Sequence, residues 1–358
     1  MINIKKTKQK ENLRIVVAMS GGVDSSVSAA LLKEAGFDVI GIFMKFWAGD
    51  RLNKEYNRCC SKEAEKRARK VASILKIPFY VIDFKKEFKN HVVDYFLVNY
   101  KKGITPNPCI VCNKQIKFGL LLKKAKSLDA DFIATGHYAR IKKQNNELSL
   151  IRAKDNEKDQ SYFLWKLNQN QLKNVLFPVG GYKKSEVRKL AKNFNLPVFD
   201  TPESQEVCFI SKTTNEFLKK YLKTKPGKII DVKGKELGKH QGLWFHTIGQ
   251  RRGLKLSDGP FYVINKDKKK NVLIVSKNKK DLYEKEAALK QINWISKKEP
   301  KLPLEVQVKI RYHHKPAKAA IDRKYILKFE KAQKAITPGQ SAVFYEKNRL
   351  LGAGIIVL

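Results

Sequence analysis

The chain has 358 residues and carries 74 Lys and Arg against 34 Asp and Glu, a net charge of +40. That length builds two or three domains with real cores, and no apolar run approaches the roughly 20 residues of a membrane-spanning helix. The charge points to a polyanionic partner, but the cations are mostly Lys, a bias that codon usage also produces, so composition alone argues only weakly for nucleic acid.

The start, Met1 to Lys6, lacks the apolar core and cleavage site of a signal peptide. A cytoplasmic protein with no membrane partner is expected, with residues 1–12 disordered. Five cysteines (Cys59, Cys60, Cys109, Cys112, Cys208) in such a chain read as thiols or ligands rather than structural disulfides.

Leu13 to Met19 is an apolar run that predicts a buried parallel strand. The loop Ala18-Met19-Ser20-Gly21-Gly22-Val23-Asp24-Ser25-Ser26 follows, then a helix with apolar positions at 27, 30, 31 and 35, closed by Gly36. Val39 to Met44 predicts the next strand. Glycines before a helix start leave backbone N–H groups and a partial positive charge facing outward, which makes a phosphate cradle. No GxxxxGK[ST] is present; the loop instead resembles the SGGxDS pyrophosphate loop of enzymes that cleave ATP between its α and β phosphates.

Further on, helices are predicted over 61–76, 84–99 and 113–128, with strands Phe79 to Asp83 and Asp131 to Thr135 between them. This alternation predicts an α/β domain over 13–210, a parallel sheet with helices on both faces and its ligand beyond the carboxyl ends of the strands. Residues 211–278 read as a small central domain with Gly-rich turns. From 279 to 358, short alternating strands (304–310, 317–321, 325–329, 341–345) predict a C-terminal antiparallel β-barrel.

Chemistry concentrates in three further stretches. In Gly103 to Lys114 two prolines stiffen a loop, and Cys112 precedes the predicted 113–128 helix, where the helix dipole and Lys114 would favour a thiolate. A zinc half-site of Cys109 and Cys112, completed by Cys59 and Cys60, and a pair of buried thiols are the alternatives. In Glu203 to Ile210, Cys208 sits in an apolar run and reads as packing unless a second thiol gives it a partner. Gly136 and His137 follow a strand end, where Gly136 would let backbone approach a nucleotide. Lys158-Asp159-Gln160-Ser161 reads equally well as a capped helix start.

SGGVDSS, NPCIVCNKQIKFG, ATGHYAR, KDQSYFL, SQEVCFI, HTIGQRRGL, IRYHH and TPGQSAVFY occur in this order. Together they resemble the tRNA-uridine 2-sulfurtransferase (tRNA-specific 2-thiouridylase) family over essentially the whole chain after residue 12. The resemblance implies ATP- and Mg²⁺-dependent thiolation of the wobble uridine of tRNA, with a cysteine desulfurase or sulfur-relay protein as sulfur donor. It assigns ATP binding to Ala18, Met19, Ser20, Gly21, Gly22, Val23, Asp24, Ser25, Met44 and Gly136. Cys112 would be the nucleophile and Cys208 the persulfide carrier. Asn107, Pro108 and Cys109 would lie against the target base, and His137, Lys158, Asp159, Gln160, Arg311, Tyr312 and Gln340 would contact the tRNA.

One departure stands out: many members have NPD where this chain has Asn107-Pro108-Cys109. The substitution leaves a minority reading open, in which Cys109, Cys112 and Cys208 hold an iron–sulfur cluster. A pyrophosphate-loop ligase acting on cytidine, an RNA-binding protein without catalysis and a metal–thiolate module are the rival functions.

Overall fold

The computed structural model describes residues 13–49, 61–144, 147–202 and 207–357. Residues 1–12, Cys59, Cys60 and Glu203 to Glu206 lie outside the described residues.

The first part of the chain supplies seven strands: β1 (Arg14–Ala18), β2 (Asp38–Lys45), β3 (Phe79–Asp83), β4 (Phe132–Ala134), β5 (Ala139–Gln144), β6 (Glu147–Arg152) and β7 (Val175–Leu176). Five of them form a parallel sheet in the order β3-β2-β1-β4-β7. Strand β1 shows why the run reads as uniformly apolar. Val16 and Ala18 enter one apolar cluster with Phe88, Ile116 and Phe118, whereas Ile15 and Val17 enter another with Val27, Ala30 and Val71. Both faces are covered, so Ile15 to Ala18 are all buried, and only Arg14 at the start reaches the surface.

Helix α1 (Val23–Glu34) follows β1 directly, and Gly36 beyond its end takes φ +85°, as the C-terminal glycine predicts. Helix α2 (Lys62–Ile74) starts where Ser61 accepts a hydrogen bond from the Ala64 N–H at 3.1 Å.

The 113–128 prediction needs correction at its start. The helix begins at Pro108, continues through widened turns over Cys112–Leu120 and ends at Lys126. Asn107 caps it by accepting the Cys109 N–H at 3.2 Å. Pro108 takes the first helical position, where a missing N–H costs nothing. An Asn-Pro pair read as loop stiffening is therefore a helix start.

Central strands β8 (Gly227–Ile230), β9 (Glu236–His240), β10 (Tyr262–Asp267) and β11 (Val272–Ser276) form a separate sheet in the order β10-β11-β8-β9. The last six, β12 (Tyr283–Trp294), β13 (Leu304–Lys309), β14 (Ala317–Ile321), β15 (Ile326–Lys334), β16 (Ser341–Glu346) and β17 (Arg349–Val357), close into an antiparallel barrel through the β12–β17 pairing.

Hairpin β5–β6 is absent from the sequence reading, and it does not join the parallel sheet. It extends the barrel, with Ile151 opposite Arg349 and Leu150 opposite Leu350. The following segment is tied to the same barrel: Tyr162 Oη donates to the Ser341 carbonyl at 3.0 Å, and Trp165 Nε1 donates to Ser341 Oγ at 3.0 Å. Tyr162 and Trp165 are fully buried, so the junction is as dry as a core. No helix among the described residues is long and apolar enough to cross a membrane.

Candidate active site

The loop after β1 is built by two glycines with different duties. Gly21 has φ +74°, and a Cβ there would stand 2.2 Å from the Ala64 carbonyl oxygen of α2. Its own carbonyl accepts from Arg67 Nε at 3.1 Å. Gly22 has an ordinary extended backbone, and a Cβ would meet nothing closer than Ser20 Oγ at 3.6 Å. Gly21 is thus required by the fold, and Gly22 leaves open space above the start of α1. Ser25 Oγ accepts the Ser20 N–H at 3.2 Å and donates to the Gly22 carbonyl at 3.1 Å, holding the loop closed on itself.

Ala18, Met19 and Val23 are buried, so only their backbone can face a ligand. Met44 stands near the carboxyl end of β2, half-buried against the core. Gly136 packs closely on the start of α1. A Cβ there would lie 2.7 Å from the Ser25 nitrogen and 2.8 Å from the Asp24 carbonyl carbon. Its missing side chain lets the end of β4 pack on the first turn of α1, which sets the cradle's position.

Asp24 is the hub of the site. Its carboxylate accepts from Lys184 Nζ at 2.6 and 2.8 Å and from Tyr138 Oη at 2.7 Å. Lys184 is buried and opens the helix Lys184–Asn193, with its own N–H donating to Asp155 Oδ2 at 2.9 Å. Neither Lys184 nor Tyr138 was singled out from the sequence. Tyr138 lies inside the ATGHYAR stretch, which was a usable signal, but nothing in the spacing ties Lys184 to residue 24.

On the cysteine helix the first-turn thiol is Cys109, not Cys112. Cys112 is buried in the next turn at the start of the widened stretch, which removes most of the helix-dipole argument for its thiolate. The Lys114 Nζ is turned to Gln171, donating to its Oε1 at 2.8 Å, and burial lowers its pKa from the ordinary lysine value. Beside Cys112, Asn113 donates from Nδ2 to the Phe163 carbonyl at 3.0 Å, while its Oδ1 is buried with no partner among the described residues.

Cys208 is half-buried at the edge of the apolar cluster that contains Cys112. It is followed by Phe209, whose ring packs edge-on against Phe88, Phe96 and Phe217 with centroids 5.3–5.8 Å apart. The Ile210 N–H closes a turn on the Val207 carbonyl at 2.9 Å. Such rings anchor the turn beyond the thiol. No group of three or more His, Cys, Asp or Glu side chains is gathered for a metal among the described residues. Cys109, Cys112 and Cys208 are not gathered into such a group among the described residues.

The residues expected at the tRNA divide into inward and outward sets. His137 is buried between Phe118 and Phe177, with Nδ1 and Thr135 Oγ1 2.7 Å apart, and burial drives its pKa well below 6.5. It is a neutral internal histidine. Asp159 is also buried and accepts from the N–H groups of Ala153 and Ser161 and from Ser161 Oγ. Gln160 Oε1 accepts the Tyr138 N–H at 3.0 Å. Gln340 donates to the Thr105 carbonyl. Lys158, Arg311 and Tyr312 are half-exposed, with the Tyr312 ring tilted against Phe163, centroids 4.4 Å apart.

Three families match end to end: the tRNA methyl transferase HUP domain over residues 13–212, the tRNA methyl transferase PRC-barrel domain over 215–277, and the aminomethyltransferase beta-barrel domain over 284–356. The chain is 48% identical to the tRNA-specific 2-thiouridylase MnmA 2 of Thermoanaerobacter sp., covering 96% of this chain and 98% of that one. It is 46% identical to the tRNA-specific 2-thiouridylase MnmA of Clostridium acetobutylicum, over 96% and 99%. A parallel α/β domain with a pyrophosphate-type loop, a small central domain and a closed barrel, matched along their whole length, place this chain in the tRNA-specific 2-thiouridylase family.

Proposed function

We propose that this chain thiolates carbon 2 of the wobble uridine, position 34, in tRNA, using ATP to activate the base and a persulfide on Cys208 as sulfur source. The observation that carries the reading is the end-to-end similarity to proteins named as tRNA-specific 2-thiouridylases. The cradle above α1 and the two cysteine segments bordering one apolar cluster support it.

Carbon 2 of uracil is a poor electrophile because its oxygen is a bad leaving group. In the proposed first step O2 attacks the α-phosphorus of ATP, a P–O bond forms and pyrophosphate leaves. The backbone amides around Gly21 and Gly22 would hold phosphate oxygens, and Lys184, already oriented by Asp24, would add positive charge. Mg²⁺, expected with ATP, would neutralise phosphate charge; the only carboxylate described at this loop is Asp24, which Lys184 and Tyr138 already engage.

An external cysteine desulfurase or sulfur-relay protein would load Cys208 as a persulfide. In one route the terminal sulfur attacks carbon 2 and AMP leaves. Cys112 then attacks the inner sulfur, breaking the S–S bond and leaving 2-thiouridine and a Cys112–Cys208 disulfide. In the other, Cys112 attacks the inner sulfur first and releases sulfide, which displaces AMP. Both routes oxidise two thiols and reduce one sulfur atom, so a cellular dithiol must reset the pair. The half-exposed Cys208 suits loading by a partner, and the buried Cys112 suits a step sheltered from water.

The test is what accumulates in single variants under anaerobic conditions. Cys208→Ser should adenylate tRNA but carry no persulfide after exposure to a donor. Cys112→Ser should hold persulfide on Cys208 and form little thiouridine. Intact-protein mass together with wobble-nucleoside mass spectrometry reads both, and persulfide on Cys112 in an active Cys208→Ser protein overturns the assignment.

A further inference from the structure

The HTIGQRRG stretch takes no part in the site above, yet Gln250 within it lines a cavity of about 380 Å³. Trp244 and Phe245 of the central domain, Tyr100 of the catalytic domain, and Thr214 and Asn215 at the start of the helix Thr214–Tyr221 complete its main walls. The volume is in the range of small-ligand sites. Its walls combine aromatic rings with hydroxyls and carboxamides and, among the described residues, contain no carboxylate, ammonium, guanidinium or imidazole. Burial pushes the Tyr100 phenol up to about 12, so it too stays neutral at physiological pH. Such a lining suits a neutral planar heterocycle that stacks and hydrogen-bonds.

Its surroundings suit a nucleotide. Arg251 and Arg252, next in the chain after Gln250, are exposed at the surface. Gln250 is itself held firmly: its Oε1 accepts the Thr247 N–H at 3.0 Å, its Nε2 donates to the Arg252 carbonyl at 3.0 Å, and its carbonyl accepts the Val263 N–H at 3.0 Å. The remaining amide N–H and lone pair have a fixed direction.

The walls also adjoin the two cysteine segments along the chain. The Tyr100 carbonyl accepts the Gly103 N–H at 2.7 Å, which starts the loop leading to Asn107 and Cys112. Tyr100 packs on Phe96 at 4.7 Å, and Phe96 packs on Phe209, the neighbour of Cys208, at 5.3 Å. Thr213, which caps the Thr214–Tyr221 helix, lies shortly after Cys208 in the chain.

We propose that this cavity takes a second base of the RNA, a neighbour of the uridine presented to Cys112 and Cys208, with the adjoining phosphate on Arg251 and Arg252. The inference rests on the function proposed above. Adenine of ATP shares the same chemistry, and the experiment separates the two sources.

A tRNA anticodon stem-loop carries 2-aminopurine at each position flanking the target uridine in turn. One position should be quenched on binding the wild-type protein, and an abasic residue at that position should raise Kd about 10-fold, the size of one lost base stack. Asn215→Leu, at an exposed helix position, should raise Kd for the intact loop by a similar factor, and the two losses should not add. Affinity for ATP should not change. No position-dependent quenching, additive losses at every position, or a fall in ATP affinity with Asn215→Leu would each overturn the proposal. Wild-type protein that quenches one position but makes no thiouridine would sink the reaction proposed above while leaving the cavity assignment standing. Trp244→Leu gives a second measure through the loss of its ring. Should it fail to fold, Asn215→Leu carries the test.

Discussion

Gln340, in the turn before barrel strand β16, donates from Nε2 to the carbonyl of Thr105 at 2.9 Å, 235 residues earlier in the chain. The Thr105 N–H donates to the Pro338 carbonyl at 3.1 Å, so barrel and loop hold each other through both backbone groups of one residue. From the other side Lys266 of the central domain donates to the Gly103 carbonyl at 3.2 Å. Both C-terminal domains thus grip the short loop that delivers Asn107, Cys109 and Cys112. The barrel, whose Arg311 and Tyr312 the family resemblance assigns to the tRNA, also positions the cysteine helix.

Gln340→Ala should fold, losing about 1 kcal/mol for one hydrogen bond. It should nonetheless slow sulfur transfer by about 10- to 100-fold, because small misplacements of reacting groups are costly. Gly339→Ala should be worse. Its φ is +92°, and a Cβ would stand 2.2 Å from Ile104 Cγ2 and 2.9 Å from the Thr105 oxygen. Single-turnover thiouridine yield beside a thermal melt checks both; normal yield from folded Gln340→Ala would show the grip to be idle.

The two loop glycines should separate stability from chemistry. Gly21→Ala forces a Cβ into the Ala64 carbonyl at positive φ and should cost at least about 2 kcal/mol. Gly22→Ala makes only an ordinary contact, 3.6 Å from Ser20 Oγ, and should stay within about 1 kcal/mol of wild type, whereas Gly22→Leu should fold yet fill the cradle and abolish AMP formation. Denaturant midpoints and ATP-to-AMP turnover distinguish the cases, and brisk adenylation by Gly22→Leu would mean that the phosphates bind elsewhere.

Asp24 and Lys184 should fail together. Removing either breaks a partly buried ion pair, at a cost of about 1–3 kcal/mol in stability. The effect on adenylation should be larger, about 100-fold or more, if Lys184 stabilises charge on the departing phosphates. Asp24→Asn with Lys184→Met should be no slower than the worse single variant; fully additive losses would mean that the residues act separately.

Lys266 sets a pH dependence. Burial, with Lys268 nearby, lowers its pKa from 10.5 to about 8, and the neighbouring His246 is held at about 4 and is neutral. Between about pH 8 and 10.5 the unfolded chain keeps this proton and the folded chain does not. Stability should therefore rise with pH across that window relative to Lys266→Met, by at most about 3 kcal/mol. Denaturation of both proteins at pH 7, 8.5 and 10 reads the difference, and parallel curves would show that Lys266 titrates normally.

Local pattern was enough for much of this protein. The apolar run of β1, the Gly-Gly turn and the capped helix after it are consecutive in the chain, and the steric and hydrogen-bonding rules that produce them act over a few residues. Phe79–Asp83 and Ala317–Ile321 were legible for the same reason: their side-chain pattern reports which faces are buried. The helix start at Pro108 was also local, but the Asn-Pro signal was read as a loop. Tertiary structure alone decided the rest. It brought Lys184 to Asp24, turned His137 and Asp159 inward, moved hairpin β5–β6 onto the barrel and joined Gln340 to Thr105. The Lys184–Asp24, Gln340–Thr105 and β6–β17 contacts join segments far apart in sequence, and the burial of His137 and Asp159 is likewise fixed by how whole layers pack; no spacing within one segment encodes which distant group will satisfy a buried charge, carbonyl or strand edge.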